Sequence, residues 1–87
     1  MTFLPGAIYP LGDVPLGCDA TIRKLSHPSS AVSTRMRELG IRENATIRPL
    51  IRANGNMICI VNNMRIGLDE SLAEAIFVGL SAETKPT

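Results

Sequence analysis

An unbroken apolar run, 57–61, and an alternating one, 64–68, meet at Asn62-Asn63, and that arrangement constrains the fold more than any other feature. Asparagine tolerates positive φ, so a pair of them suits a two-residue type I′ hairpin turn. Such a turn leaves one register. Val61 then faces Met64, Cys59 faces Ile66 and Met57 faces Leu68. All six are apolar, which makes this the inward face of a half-buried hairpin.

The residues before it predict a second hairpin, turning at Ala53-Asn54-Gly55. A two-residue turn at Asn54-Gly55 would put Arg48 and Arg52 on the core face. A three-residue loop with Gly55 left-handed instead pairs Ile51 with Met57, Pro49 with Cys59 and Ile47 with Val61. Burying two unpaired guanidiniums costs several kcal/mol, roughly, so the three-residue loop is expected. Pro49 donates nothing to a ladder and predicts an edge or bulged strand. On the outward face this register places Leu50 opposite Ile58, Ile60 between Arg48 and Arg65, and Gly67 beside Ile58.

Upstream, Cys18, Ala20 and Ile22 alternate with polar residues as in a first strand, and the parity break at Leu25 predicts a bulge near Lys24. Ser29 or Ser30 can cap a short helix whose Val32, Met36 and Leu39 share one face. Gly40 stands where a left-handed helix end is wanted. A last strand over 75–80 turns Ile76, Val78 and Leu80 inward and Phe77 outward. Residues 1–15, with three prolines and two glycines, read as an extended lead-in, and 81–87 as a polar tail. The expected fold is mainly β: over 16–80, a small, partly open SH3-like barrel of about five strands with one short helix inserted after the first.

An 87-residue chain makes one small domain. Its net charge is +1, but eight of nine cations lie between Thr21 and Arg65, a basic middle that suits either an acidic partner or solvated strand faces. No apolar run is long enough to span a membrane, the first eleven residues lack the basic start of a signal peptide, and two cysteines suit a reduced, cytoplasmic setting. The soft metal ligands are Cys18, His27, Cys59 and four methionines, without Cys-x-x-Cys or zinc-type Cys/His spacing. No metal or other cofactor is therefore expected. Cys18, His27 and Cys59 are the weak candidates should Fe2+ or Zn2+ bind. No nucleophile–base–acid set and no phosphate-binding glycine loop occur, so no catalytic residue is assigned and no enzyme is expected. A small barrel can bind nucleic acid, but Phe77 and Tyr9 offer few stacking platforms beside Arg23, Arg48, Arg52 and Arg65. Nucleic acid is not the expected partner.

Pro15-Leu16-Gly17, the run Arg35-Met36-Arg37-Glu38-Leu39-Gly40-Ile41, and Ile66-Gly67-Leu68 with Ala73, Ile76 and Val78 occur in an order and spacing that resemble the FeoA family. That family is the small cytoplasmic component of bacterial ferrous-iron transport. The chain departs from the family pattern at Met36, where leucine is usual, at Glu43-Asn44, where Pro-Gly is common, and at Asn63, where glycine is. Similar domains end metal-dependent repressors, but no helix-turn-helix precedes the barrel here, so a stand-alone protein is expected. The resemblance implies a non-enzymatic regulator acting on the FeoB permease, at its GTP-binding region or inner membrane face. The sequence offers as docking residues the apolar strip Leu50, Ile58 and Ile60, rimmed by Arg48, Arg52 and Arg65, with Arg35 and Arg37 on the helix as secondary candidates. Either this strip is open to a partner, or the helix or lead-in folds over it. An open strip also allows a weak dimer in place of a monomer.

Overall fold

The computed structural model describes residues 7–80. It contains β1 (Tyr9–Pro10), a 3-10 turn (Leu11–Asp13), β2 (Ala20–Leu25), α1 (Ser30–Glu38), β3 (Thr46–Ala53), β4 (Asn56–Val61), β5 (Met64–Asp69), α2 (Glu70–Glu74) and β6 (Ile76–Gly79). The strands form one antiparallel sheet in the order β1-β6-β2-β3-β4-β5. It curls around an aliphatic core to which every strand but β1, together with the 3-10 turn and both helices, contributes a buried side chain. The pattern-based expectation of a mainly β, partly open barrel holds, with six strands where five were expected.

The β4–β5 hairpin is as the alternation predicts. Asn62 and Asn63 have φ of 54° and 64°, and Val61 pairs Met64, Cys59 pairs Ile66 and Met57 pairs Leu68. Met64 alone of the six leaves the core, 49% exposed beside the turn. The β3–β4 hairpin corrects the expected loop. Asn54 and Gly55, φ 54° and 78°, make a two-residue turn that pairs Ala53 with Asn56, Arg52 with Met57 and Ile51 with Ile58. An extra residue, Leu50, then shifts the register before Pro49 pairs Cys59 and Ile47 pairs Val61. The bulge restores parity one residue from the proline, so Arg48 stays outward without a longer loop. Ile51, expected inside, is 47% exposed.

The other strands follow their patterns closely. In β2 the register against β6 slips between Ile22 and Lys24, leaving Arg23 as the extra residue and explaining the parity of Leu25. Cys18 does not extend the inward face. Pro15–Cys18 is a turn, closed by Cys18 N–H to Pro15 O at 3.3 Å around Gly17 at φ 86°, and Cys18 is exposed. Ser29 caps α1, its Oγ accepting from Val32 N–H. At the far end Gly40 N–H donates to Arg37 O and Ile41 N–H to Met36 O, the paired bonds of a glycine-terminated helix, with Gly40 at φ 95°.

Residues read as a lead-in do more than lead in. β1 pairs with β6, and Leu11 and Val14 are fully buried. Alternation gave no sign of α2, whose five residues follow the cap Asp69; the Asp69 carboxylate accepts from Leu72 N–H and Ser71 Oγ–H at 2.9 Å. Those bonds, Leu72 first, hold the Asp69 carboxyl below its ordinary range. α2 packs on both the 3-10 turn and β5, so it bridges toward the far edge of the open sheet. Phe77 is half-buried and Leu80 packs against the core. The predicted tail, 81–87, lies outside the described residues.

Cys59 is buried at the centre of β4, and that burial pushes its thiol up to about 11 from an ordinary 9.0, with Arg52 opposing weakly. The unfolded chain would lose this proton first, so stability is full below pH 9 and falls as pH rises toward about 11. Denaturant melts over that range should show a fall that Cys59→Ala removes, although the variant is less stable at every pH. Ile66→Ala should destabilise the barrel by about 2–5 kcal/mol as a core truncation, measured by chemical denaturation.

Candidate functional site

Only the first two residues of β3, Thr46 and Ile47, pair with β2. Beyond them the β2-facing edge of β3 has no strand beside it. The loop 14–19 runs there instead, held at three points. Gly17 N–H donates to Pro49 O at 2.7 Å. Arg52 Nη2 donates to Val14 O at 2.9 Å, and Arg48 grips Asp19 with Nε on Oδ1 at 2.8 Å and Nη2 on Oδ2 at 3.3 Å. Asp19 raises the Arg48 pKa, first through that hydrogen bond and then through charge. Pro49 sits opposite Cys59 at a position whose N–H would point away from β4, so the ladder loses no donor there.

Two of the arginines that the sequence assigned to a rim are therefore engaged inside the fold. Arg48 remains at the outward face as one half of an exposed ion pair, and Arg52 reaches across the end of the hairpin. Arg65 is exposed and among the described residues has no ion-pair partner. Arg35 lies 3.7 Å from Glu38 on α1, and Arg37 is exposed on the same helix.

The apolar strip is present but differently composed. Ile51, Ile58 and Gly67 form one outward row across β3, β4 and β5, and Arg48, Ile60 and Arg65 form the next. Ile58, Ile60 and Leu50 are half-buried, with Leu50 at the bulge and no longer opposite Ile58. Ile51 was missed as a member because the three-residue loop had turned it inward. Leu16, 45% exposed, lies between the tethers at Val14 and Gly17, in the loop held against the edge of β3. Leu11 from the lead-in enters the core and does not lie over the strip, while Phe3 and Leu4 lie outside the described residues.

The weak metal candidates are not brought together. Cys18 is exposed in the loop, Cys59 is in the core, and His27 Nδ1 accepts from Ser29 N–H at 3.0 Å at the entry to α1. Among the described residues no three His, Cys, Asp or Glu side chains converge as a metal site would require. No helix of the described residues is long and apolar enough to cross a membrane.

Comparison with known proteins fits this architecture. The FeoA domain model matches residues 9–80. The solution structure of FeoA from Chlorobium tepidum superposes with a TM-score of 0.79 at 23% identity, covering 88% of this chain and 74% of that one. The crystal structure of an iron uptake regulatory protein, FeoA, gives 0.74 at 20% identity, covering 84% and 97%. A zinc complex of Stenotrophomonas maltophilia FeoA, described as a prokaryotic SH3 domain protein, gives 0.69 at 25% identity, covering 78% and 86%. No curated protein matches the sequence significantly. With a family match spanning β1 to the end of β6 and the same small barrel in its solved members, the chain belongs to the FeoA domain family, which is associated with ferrous iron transport.

Proposed function

We propose that this chain is a non-enzymatic, cytoplasmic accessory protein of ferrous iron uptake that docks on the FeoB permease, at its GTP-binding region or inner membrane face. The observation that carries the reading is the outward face of β3–β5. Ile51, Ile58 and Ile60 lie in adjacent rows with Gly67 leaving the surface low, and Arg65 stands at the margin with no ion-pair partner among the described residues. An apolar centre with a charged margin is the layout of a docking surface. Burial of the isoleucines supplies affinity, and Arg65 orients an acidic partner. Arg48 and Arg52 act mainly by holding the loop that carries Leu16 at the border of the strip. Arg35 and Arg37 are on α1, where Arg35 shares a groove with Gly67 at the border of this face. The reading invokes no catalytic step and no resident cofactor, and the separation of Cys18, His27 and Cys59 is consistent with it. Phe77 and Tyr9, both half-buried, give a nucleic-acid reading little to stack on.

Ile60→Asp and Arg65→Glu should each weaken binding to the purified permease, or to its GTP-binding region, by about tenfold or more. The far-ultraviolet spectrum and thermal midpoint should stay close to those of the parent chain. Unchanged binding by both folded variants would remove the outer strip from the interface.

A further inference from the structure

Gly67 sits inside β5 for no reason that the fold itself supplies. A glycine within a strand weakens it, and is kept where the backbone bends, bulges or is closely approached by another group. The first two do not hold here, and nothing in the described structure supplies the third. Gly67 is not among the glycines of positive φ, its pairing with Ile58 is in regular register, and a Cβ built on it would meet nothing within 4 Å. At Gly79, by contrast, a Cβ would lie 3.2 Å from Arg23 Nε. What the bare backbone at Gly67 accommodates lies outside the described residues.

Gly67 is also where two apolar surfaces join. On one side it continues the outward row of Ile51 and Ile58. On the other it lines an open groove of about 460 Å³ between α1 and β5, with Val32, Met36 and Leu39 from the helix and Leu68 from the strand. The polar groups of that groove are largely engaged within the fold. His27 Nδ1 accepts from Ser29 N–H, Ser71 Oγ–H donates to Asp69, and the same carboxylate caps α2. Arg35 lies 3.7 Å from Glu38. The groove therefore offers a visitor chiefly apolar surface.

In a sheet, an exposed glycine is rescued by an aromatic ring laid across it from the neighbouring strand. The residue across from Gly67 is Ile58, and the other side of β5 has no strand. The described aromatics, Tyr9 and Phe77, belong to β1 and β6, at the opposite end of the strand order. We propose that an aromatic side chain of the partner protein lies flat on Gly67, bridging the outer isoleucines and the groove beside α1. The inference rests on the docking reading above and names what the partner brings to that face. Arg35 and Met36 both line the groove, and guanidinium and thioether groups bind aromatic rings well, which favours a ring over an aliphatic chain. A buried aromatic anchor in a recess is a common centre of binding energy at protein interfaces.

The test compares the parent chain with Gly67→Ala, each titrated with the purified permease. Gly67→Ala should raise the thermal midpoint by about 2–8 °C, because folding gains nothing from glycine there. It should nonetheless weaken binding about tenfold or more, because the added methyl lifts the ring off the strand. Gly67→Val should stay folded and weaken binding further. In the complex with the methyl-labelled parent chain, the methyl signals of Ile58 and Met36 should move upfield, as a ring stacked beside them requires. A lower midpoint for Gly67→Ala would show that the fold itself needs the glycine and would overturn the proposal. Unchanged binding by Gly67→Ala, or a complex without the upfield shifts, would do the same. Upfield shifts already present in the free chain and abolished by Phe3→Ala would make the chain's own ring the occupant, and shifts that grow with concentration in the absence of permease would make it a second copy; either overturns the proposal. Weakened binding by Ile60→Asp and Arg65→Glu beside unchanged binding by Gly67→Ala would sink this inference alone. The reverse pattern would sink the outer-strip reading alone, and no binding by the parent chain would sink both.

Discussion

β3 must satisfy two demands that a regular strand cannot meet together, and the rest of the barrel depends on the extra residue that reconciles them. The tight turn at Asn54-Gly55 fixes which residues face Met57 and Ile58, while the core needs Ile47 and Pro49 inward. Without Leu50 as a spare position, Arg48 would stand opposite Val61 on the core face, and a buried unpaired guanidinium costs several kcal/mol, roughly. With it, Arg48 faces water and Asp19, and Ile51 joins Ile58 on the outside. One bulge thus keeps the interior apolar and makes part of the exterior apolar too.

The same strand explains the loop before β2. A proline next to a bulge cannot sit in a fully paired strand, so half of β3 is left with an edge. Loop 14–19 takes the place of the missing neighbour through one backbone bond and two arginines. Proline, glycine and a small exposed apolar residue then make physical sense in sequence: Pro15 opens the turn, Gly17 takes the left-handed backbone and donates to Pro49, and Leu16 is left at the surface. α2 and the 3-10 turn do a similar service at the other side of the sheet, where β1 is too short to close the roll.

Much of this was legible in the sequence because strand parity is a strict signal wherever one face is dry. The β4–β5 register, the bulge in β2, the cap at Ser29 and the helix end at Gly40 all follow from local chemistry and all occur. The β3–β4 loop was misread for an instructive reason. Keeping arginine out of the core was the right criterion, but a bulge within the strand meets it as well as a longer loop does, and parity alone cannot tell them apart. Cys18 was misplaced because a turn ending at that residue mimics the start of an alternation. Helix α2 is too short for periodicity to register, although Asp69 three residues before Leu72 is a capping signal. The engagement of Arg48 and Arg52 by the loop depends on a distant segment and left no local trace. Neither did the groove between α1 and β5, lined by Val32 and Met36 on one side and Gly67 and Leu68 on the other, whose walls come from distant parts of the chain.

The left-handed glycine that ends α1 has a reach beyond the helix it terminates. Any side chain at position 40 would run into the amide of Asn62, and Val61 lies just behind. The helix end is thus seated at a point where the bare Gly40 backbone meets the side chains of Asn62 and Val61. A larger residue there would have to push the Asn62 side chain aside and hold a left-handed backbone that only glycine adopts without strain. The seating of α1 against the second hairpin is in this sense a property of a helix terminus.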